Sequence, residues 1–206
     1  MKRLRDNIVL LISFMLPALF LSPLSAQKVS FGLYTNADLI LTPHVPDELD
    51  FGTRISGSGE AQILLGDDET VVIQIDGVAY LDVTVTLTPP SGDVLVLEGD
   101  LDYINDPVRS LPVDVVMAYY NRGQENIPVA QAKAEAVTVV GNTATFQIRR
   151  RPGGPPGPPP TPPHAGYTPP QATAYLFIFG TLNVGEVNAG PYSGIIDVHV
   201  EYSTYQ

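Results

Sequence analysis

The hydrophobic pattern is plainest between Ala174 and Tyr202, AYLFIFGTLNVGEVNAGPYSGIIDVHVEY. It predicts an apolar strand, a turn region holding Gly180, Gly185 and Gly190, and a final strand. In that last strand Ile196, Val198, Val200 and Tyr202 share one face, and Asp197, His199 and Glu201 share the other. One apolar and one wet face mark the outer member of an antiparallel sheet rather than the buried centre of a parallel one. Gly190-Pro191-Tyr192-Ser193-Gly194 predicts a tight connection into it, since Pro fixes the backbone and Gly frees it.

Earlier in the chain the same period recurs. Val29, Phe31 and Leu33 alternate, and Leu39-Ile40-Leu41 forms a second short strand before Pro43 and Pro46 interrupt. A brief strand or bulge is expected at Leu49-Asp50-Phe51-Gly52, then a turn at Ser56 to Gly59, a strand from Glu60 to Leu65 and a reversal at Gly66-Asp67-Asp68. Thr70 to Ile75 is rich in β-branched residues, and Asp76-Gly77 predicts a turn into Tyr80 to Thr88. There Leu81, Val83, Val85 and Leu87 point one way, and Asp82, Thr84, Thr86 and Thr88 the other. Asp93 to Glu98 and Val113 to Tyr120 read as further strands, separated by a loop broken by Gly99, Pro107 and Pro112. A helical turn within Gln124 to Ala136 is kept short by Pro128. Ala136 to Val140 and Thr143 to Ile148 flank Gly141-Asn142 as a hairpin-like pair.

About ten strands with short turns and little helix predict an antiparallel β-sandwich. One stretch departs from the pattern. Residues 149–171, RRRPGGPPGPPPTPPHAGYTPPQ, hold ten prolines between Pro152 and Pro170, which excludes helix or internal strand. The glycines lack the every-third spacing of collagen, so 149–171 is expected to be an exposed, disordered Pro/Gly-rich insertion between two strands of one domain.

The N-terminus changes the picture of address. Lys2, Arg3 and Arg5 precede a mostly apolar segment from Ile8 to Leu21 and a small residue at Ala26, the layout of a secretory signal peptide over residues 1–26. The mature chain, residues 27–206, is then a single domain exported to the periplasm, cell surface or extracellular space. Removing residues 1–26 leaves 8 basic and 21 acidic side chains, a net charge of −13 with His neutral. That field repels phosphate backbones and anionic membranes, so nucleic acid is not an expected partner. With no second spanning apolar segment, membrane insertion after signal removal is not expected either.

Candidate chemistry is sparse. The chain has no Cys, which excludes thiol catalysis and disulfides. His44, His164 and His199 lack metal-site spacing; His199 between Asp197 and Glu201 reads as a solvated neighbour rather than a base. Asp100, Asp102, Asn105 and Asp106 supply the oxygens calcium prefers but lack the EF-hand spacing, and read as a solvated acidic loop. Adjacent Tyr119 and Tyr120 must face opposite ways, and Tyr202 and Tyr205 read as ordinary cross-strand aromatic packing rather than as an adhesive or docking edge. No catalytic, cofactor or metal residue is assigned, and the chain is not expected to be an enzyme.

Leu49-Asp50-Phe51-Gly52-Thr53, Ile75-Asp76-Gly77 leading into Tyr80 to Leu87, and above all Gly180-Thr181-Leu182-Asn183-Val184-Gly185 with Gly190-Pro191-Tyr192-Ser193-Gly194 and the Ile196 to Tyr202 strand resemble DUF4402. That family of bacterial exported domains is similar to spore coat protein U-type and archaic fimbrial subunits. The resemblance covers most of Leu39 to Tyr202 and implies an immunoglobulin-like sandwich. It departs from the family at Pro191 and in the proline-rich insertion. Fimbrial relatives polymerise by donating an N-terminal strand to a neighbour, and Gln27 to Tyr34 could offer Val29, Phe31 and Leu33 in that way. The resemblance thus implies a structural or cell-surface protein, pilin-like, whose partner is itself or another surface protein through edge-strand pairing. The alternative is a monomeric secreted carbohydrate- or protein-binding module.

Overall fold

The strand from Gln171 to Val184 is apolar on both sides because both sides are covered. In the computed structural model, which describes residues 39–123, 126–136, 142–150 and 169–203, it is the centre of the larger of two antiparallel sheets. In chain order the strands are β1 (Ile40–Pro43), β2 (Gly59–Ile63), β3 (Val71–Val78), β4 (Asp82–Thr88), β5 (Val94–Leu97), β6 (Ser110–Tyr120), β7 (Glu135–Ala136), β8 (Thr143–Gln147), β9 (Gln171–Val184), β10 (Tyr192–Ser193) and β11 (Asp197–Tyr202). The larger sheet runs β1-β3-β9-β6-β5-β10, with β2 beside β9 and β7 beside β6; the smaller runs β11-β4-β8.

One face of β9 turns Ala174, Leu176, Ile178, Leu182 and Val184 toward the smaller sheet, where Val83, Val85, Leu87, Ala144 and Phe146 meet them. Its other face sets Tyr175 and Phe177 with Val72, Ala118 and Ala130 in a second cluster. Ala130 comes from α1 (Ile127–Gln131), whose Asn126 side chain caps the Val129 N–H and whose Pro128 sits in the first turn, where a missing N–H costs nothing. The large aliphatic side chains buried here contribute about 1.5–3 kcal/mol each. Burial on both faces is what holds β9 in place.

The all-β, sandwich-like arrangement of antiparallel sheets agrees with the sequence pattern. So does the outer position of β11, which pairs only with β4 among the described residues and alternates exposed and half-buried positions along its length. Val83, Val85 and Leu87 are buried while Asp82, Thr84 and Thr86 on the other face of β4 are half-buried.

Four expectations are corrected. Asp76-Gly77 is not a turn: β3 continues to Val78, with Asp76 opposite Thr173 and Gly77 opposite Ala172. The Asp76 carboxylate accepts from Thr173 Oγ1 of β9 at 2.5 Å and from Gln74 Nε2 of its own strand at 2.7 Å. The chain turns at Ala79-Tyr80-Leu81 instead and changes sheet there, since β3 and β4 do not pair. Gly180 likewise lies inside β9, where a Cβ would collide with the Asp114 carbonyl oxygen; it permits a close approach of backbones rather than a turn. Pro112 lies within β6, exposed, one position before the ladder to β9 begins at Val113. Of the expected hairpin around Gly141-Asn142, Ala136 pairs with Ala118 in the larger sheet and Thr143 with Thr86 in the smaller, while 137–141 lie outside the described residues. Leu49 to Gly52 forms no ladder.

The expected signal peptide at 1–26, the segment Gln27 to Tyr34, most of the proline-rich insertion, His164 and Tyr205 lie outside the described residues. The roots of the insertion are described. The Tyr80 N–H donates to Ile148 O at 2.6 Å and the Ala79 N–H to Pro170 O at 2.8 Å, so the insertion leaves β8 and rejoins β9 at one place.

Candidate functional site

Three strands cannot cover the inner face of a sheet twice as wide. Where β11-β4-β8 ends, the inner face of the larger sheet is crossed by the segment 44–56, which runs from the end of β1 towards β2. Its exposure alternates: Glu48 exposed, Leu49 half-buried, Asp50 exposed, Phe51 buried, Gly52 exposed. That is the period of a strand without the hydrogen bonds of one. Phe51 is 6% exposed and belongs to the main core cluster.

On either side of Leu49 and Phe51 lies a hollow. One, of about 400 Å³, is walled by Val71 and Ile73 of β3, Ile178 of β9, Leu95 of β5 and Ile196 and Val198 at the last strand. The other, of about 610 Å³, is walled by Leu111, Leu182, Val184, Val187 and Tyr192. Both lie in the size range of ligand and peptide sites. Asp47, Glu48 and Asp50 line the first hollow without a basic side chain among its walls, while Arg54 borders the second. The cleft is therefore apolar inside and acidic at one lip.

Two anchors hold the crossing segment. At its start the His44 N–H donates to Val72 O at 2.9 Å, and His44 Nε2 lies 3.1 Å from Gln74 Oε1. At its end Ser56 Oγ donates to Val187 O at 3.0 Å and accepts from the Val187 N–H at 2.8 Å, while the Gly57 N–H donates to Gly185 O at 2.8 Å. Between them the bonds are internal: the Gly52 N–H donates to Asp50 Oδ1, and Arg54 Nε donates to Phe51 O at 2.7 Å.

The other sequence candidates do not converge. His199 faces solvent 3.6 Å from Glu201 Oε2 on the outer face of β11. In the acidic loop, Asp100 Oδ1 accepts from the Asp102 N–H and Asp106 Oδ1 from the Val108 N–H, so both carboxylates cap turns. Asp106 also lies 3.6 Å from Arg109 Nε, and that guanidinium sits 4.6 Å from the Tyr103 ring centre. Among the described residues no group of three or more His, Asp or Glu could hold a metal ion. Tyr119 and Tyr120 do face opposite ways: Tyr119 stacks on Phe146 at 4.3 Å, and Tyr120 joins the α1 cluster.

Comparison with protein-family models, with curated proteins and with solved structures finds no match. The cleft must therefore be read from its own chemistry. Leu49 and Phe51, which the sequence pattern placed in a brief strand or bulge, are the residues that define it. Their spacing of two between Pro46 and Gly52 was the available signal.

Proposed function

We propose that the chain is an exported, non-enzymatic structural or cell-surface protein, pilin-like, in which the open side of the sandwich receives an apolar strand. One observation carries this reading. The cleft beside β11 is lined by half-buried Ile73, Ile196 and Val198, and β11 has no partner on its outer edge among the described residues. An unpaired edge next to an incompletely filled apolar wall is what β-strand addition uses: the backbone pairs with the edge while alternate side chains enter the wall.

The donor is Gln27 to Tyr34 of another copy. Val29 to Leu33 spans four residue steps, about 13 Å in extended form, the same number of steps as Ile196 to Val200. This reading also accords with the resemblance to DUF4402 and fimbrial-like subunits, and with the leader-like residues 1–26.

The test is the mass distribution of the exported protein by size exclusion with light scattering, beside a form lacking residues 27–34. The reading expects concentration-dependent ladders from the full form and monomers from the truncated one. Well-folded monomers from both overturn it and leave a self-contained carbohydrate- or protein-binding module as the better account.

A further inference from the structure

We infer that segment 45–55 is a built-in occupant of the cleft, which an incoming strand must displace, so that the subunit holds itself closed until assembly. This inference rests on the strand-addition reading above and adds the regulation of that same cleft. The segment carries the side-chain pattern of a donor strand: Leu49 and Phe51 enter the cleft two residues apart, as Phe31 and Leu33 of the proposed donor would. It lacks what would make the insertion permanent. Among the described residues its backbone between the two anchors makes no hydrogen bond to another segment, so Leu49 and Phe51 are held by burial and packing alone. It also fills the cleft incompletely, leaving hollows of about 400 Å³ and about 610 Å³ on its two sides. Val45 and Ile55, near the two ends of the segment, are 95% and 81% exposed, so both flanks of the buried pair already lie in water.

A strand with three apolar side chains and a full ladder to β11 would outcompete such an occupant, because it adds backbone hydrogen bonds to equivalent burial. Displacement has an energetic consequence for affinity: a cleft that is open only part of the time binds more weakly in proportion to that fraction. The acidic lip formed by Asp47, Glu48 and Asp50 travels with the segment.

The test is binding of a fluorescein-labelled peptide of residues 27–36, followed by anisotropy on the full chain and on two variants. Phe51→Ala removes the plug. Ser56→Ala removes the side-chain anchor to Val187 and leaves Leu49, Phe51 and the hollow beside β11 untouched, and so carries the test if Phe51→Ala fails to fold. The expected result is affinity tighter by about tenfold or more for Phe51→Ala and about threefold for Ser56→Ala. A peptide with Ser at the positions of Val29, Phe31 and Leu33 should not bind. Equal affinity for all three folded proteins overturns the gate and leaves strand addition standing. No binding to any of them, with native circular dichroism, overturns both.

Discussion

Replacing Tyr202 by Phe removes one oxygen and leaves everything else at the seam between the sheets in place. The Val78 N–H donates to Tyr202 Oη at 2.8 Å, linking β3 of the larger sheet to β11 of the smaller. Val78 is 3% exposed, so its N–H has little access to water once the hydroxyl is gone. Leaving a buried donor unpaired costs about 1–3 kcal/mol. Because Tyr202 itself is only half-buried, some water can reach the gap, and the lower part of that range, about 1–2 kcal/mol, applies. For a domain of this size that is a fall in Tm of about 2–8 °C. Urea unfolding followed by circular dichroism should show a lower midpoint with unchanged slope.

A second substitution sharpens the test. A Cβ at Gly77 would lie 2.8 Å from Tyr202 Oη, 2.8 Å from a Leu39 methyl and 2.9 Å from an Ile148 methyl, so Gly77→Ala alone costs about 1–3 kcal/mol through overpacking. In the Tyr202→Phe background one of the three collisions is gone, and the double variant should be more stable than the sum of the single effects predicts. A change under about 0.3 kcal/mol for Tyr202→Phe, or strict additivity of the pair, would refute the reasoning.

Two further outcomes follow from the same geometry. Gly180→Ala should destabilise by more than about 2 kcal/mol in urea unfolding, because the new methyl meets the Asp114 carbonyl backbone, which cannot rotate away; retention of wild-type stability would mean that β6 and β9 are not so closely apposed. Tyr192 donates to Asn188 O at 2.9 Å, with Val108 O at 3.3 Å sharing the hydrogen, and burial and then the nearby Asp106 carboxylate raise its pKa above the usual value of about 10. Its neutral form is thus favoured by folding, so its contribution is complete below about pH 10 and is lost as pH climbs through the raised value. Tyr192→Phe should flatten the alkaline limb of the stability–pH curve relative to wild type, and identical limbs would contradict this assignment.

Strands whose one face meets the core were legible because period two is a local signal, as Val83, Val85 and Leu87 and the outer strand from Asp197 to Tyr202 show. Sheet membership was not, because partners far apart in the chain decide it. Asp76-Gly77 has the composition of a turn, yet β9 pairs with both residues and three side chains crowd the glycine. Gly180 reads as a breaker until the Asp114 backbone is seen against it. The cleft was hidden for a related reason. Leu49 and Phe51 acquire meaning only once a three-stranded sheet is found facing a wider one, leaving an apolar wall for them to cover.

The chain has no native cysteine, so strand addition can be tested with two engineered ones. A Phe31→Cys copy and a Val198→Cys copy, refolded together and mildly oxidised, should form a disulfide between unlike copies, because the donor side chain would lie against the wall of the cleft at β11. The matched pair of Phe31→Cys with Thr145→Cys, an exposed position on β8, should not. Equal yields from the two pairs, or none from either in folded protein, would contradict insertion of residues 27–34 beside β11.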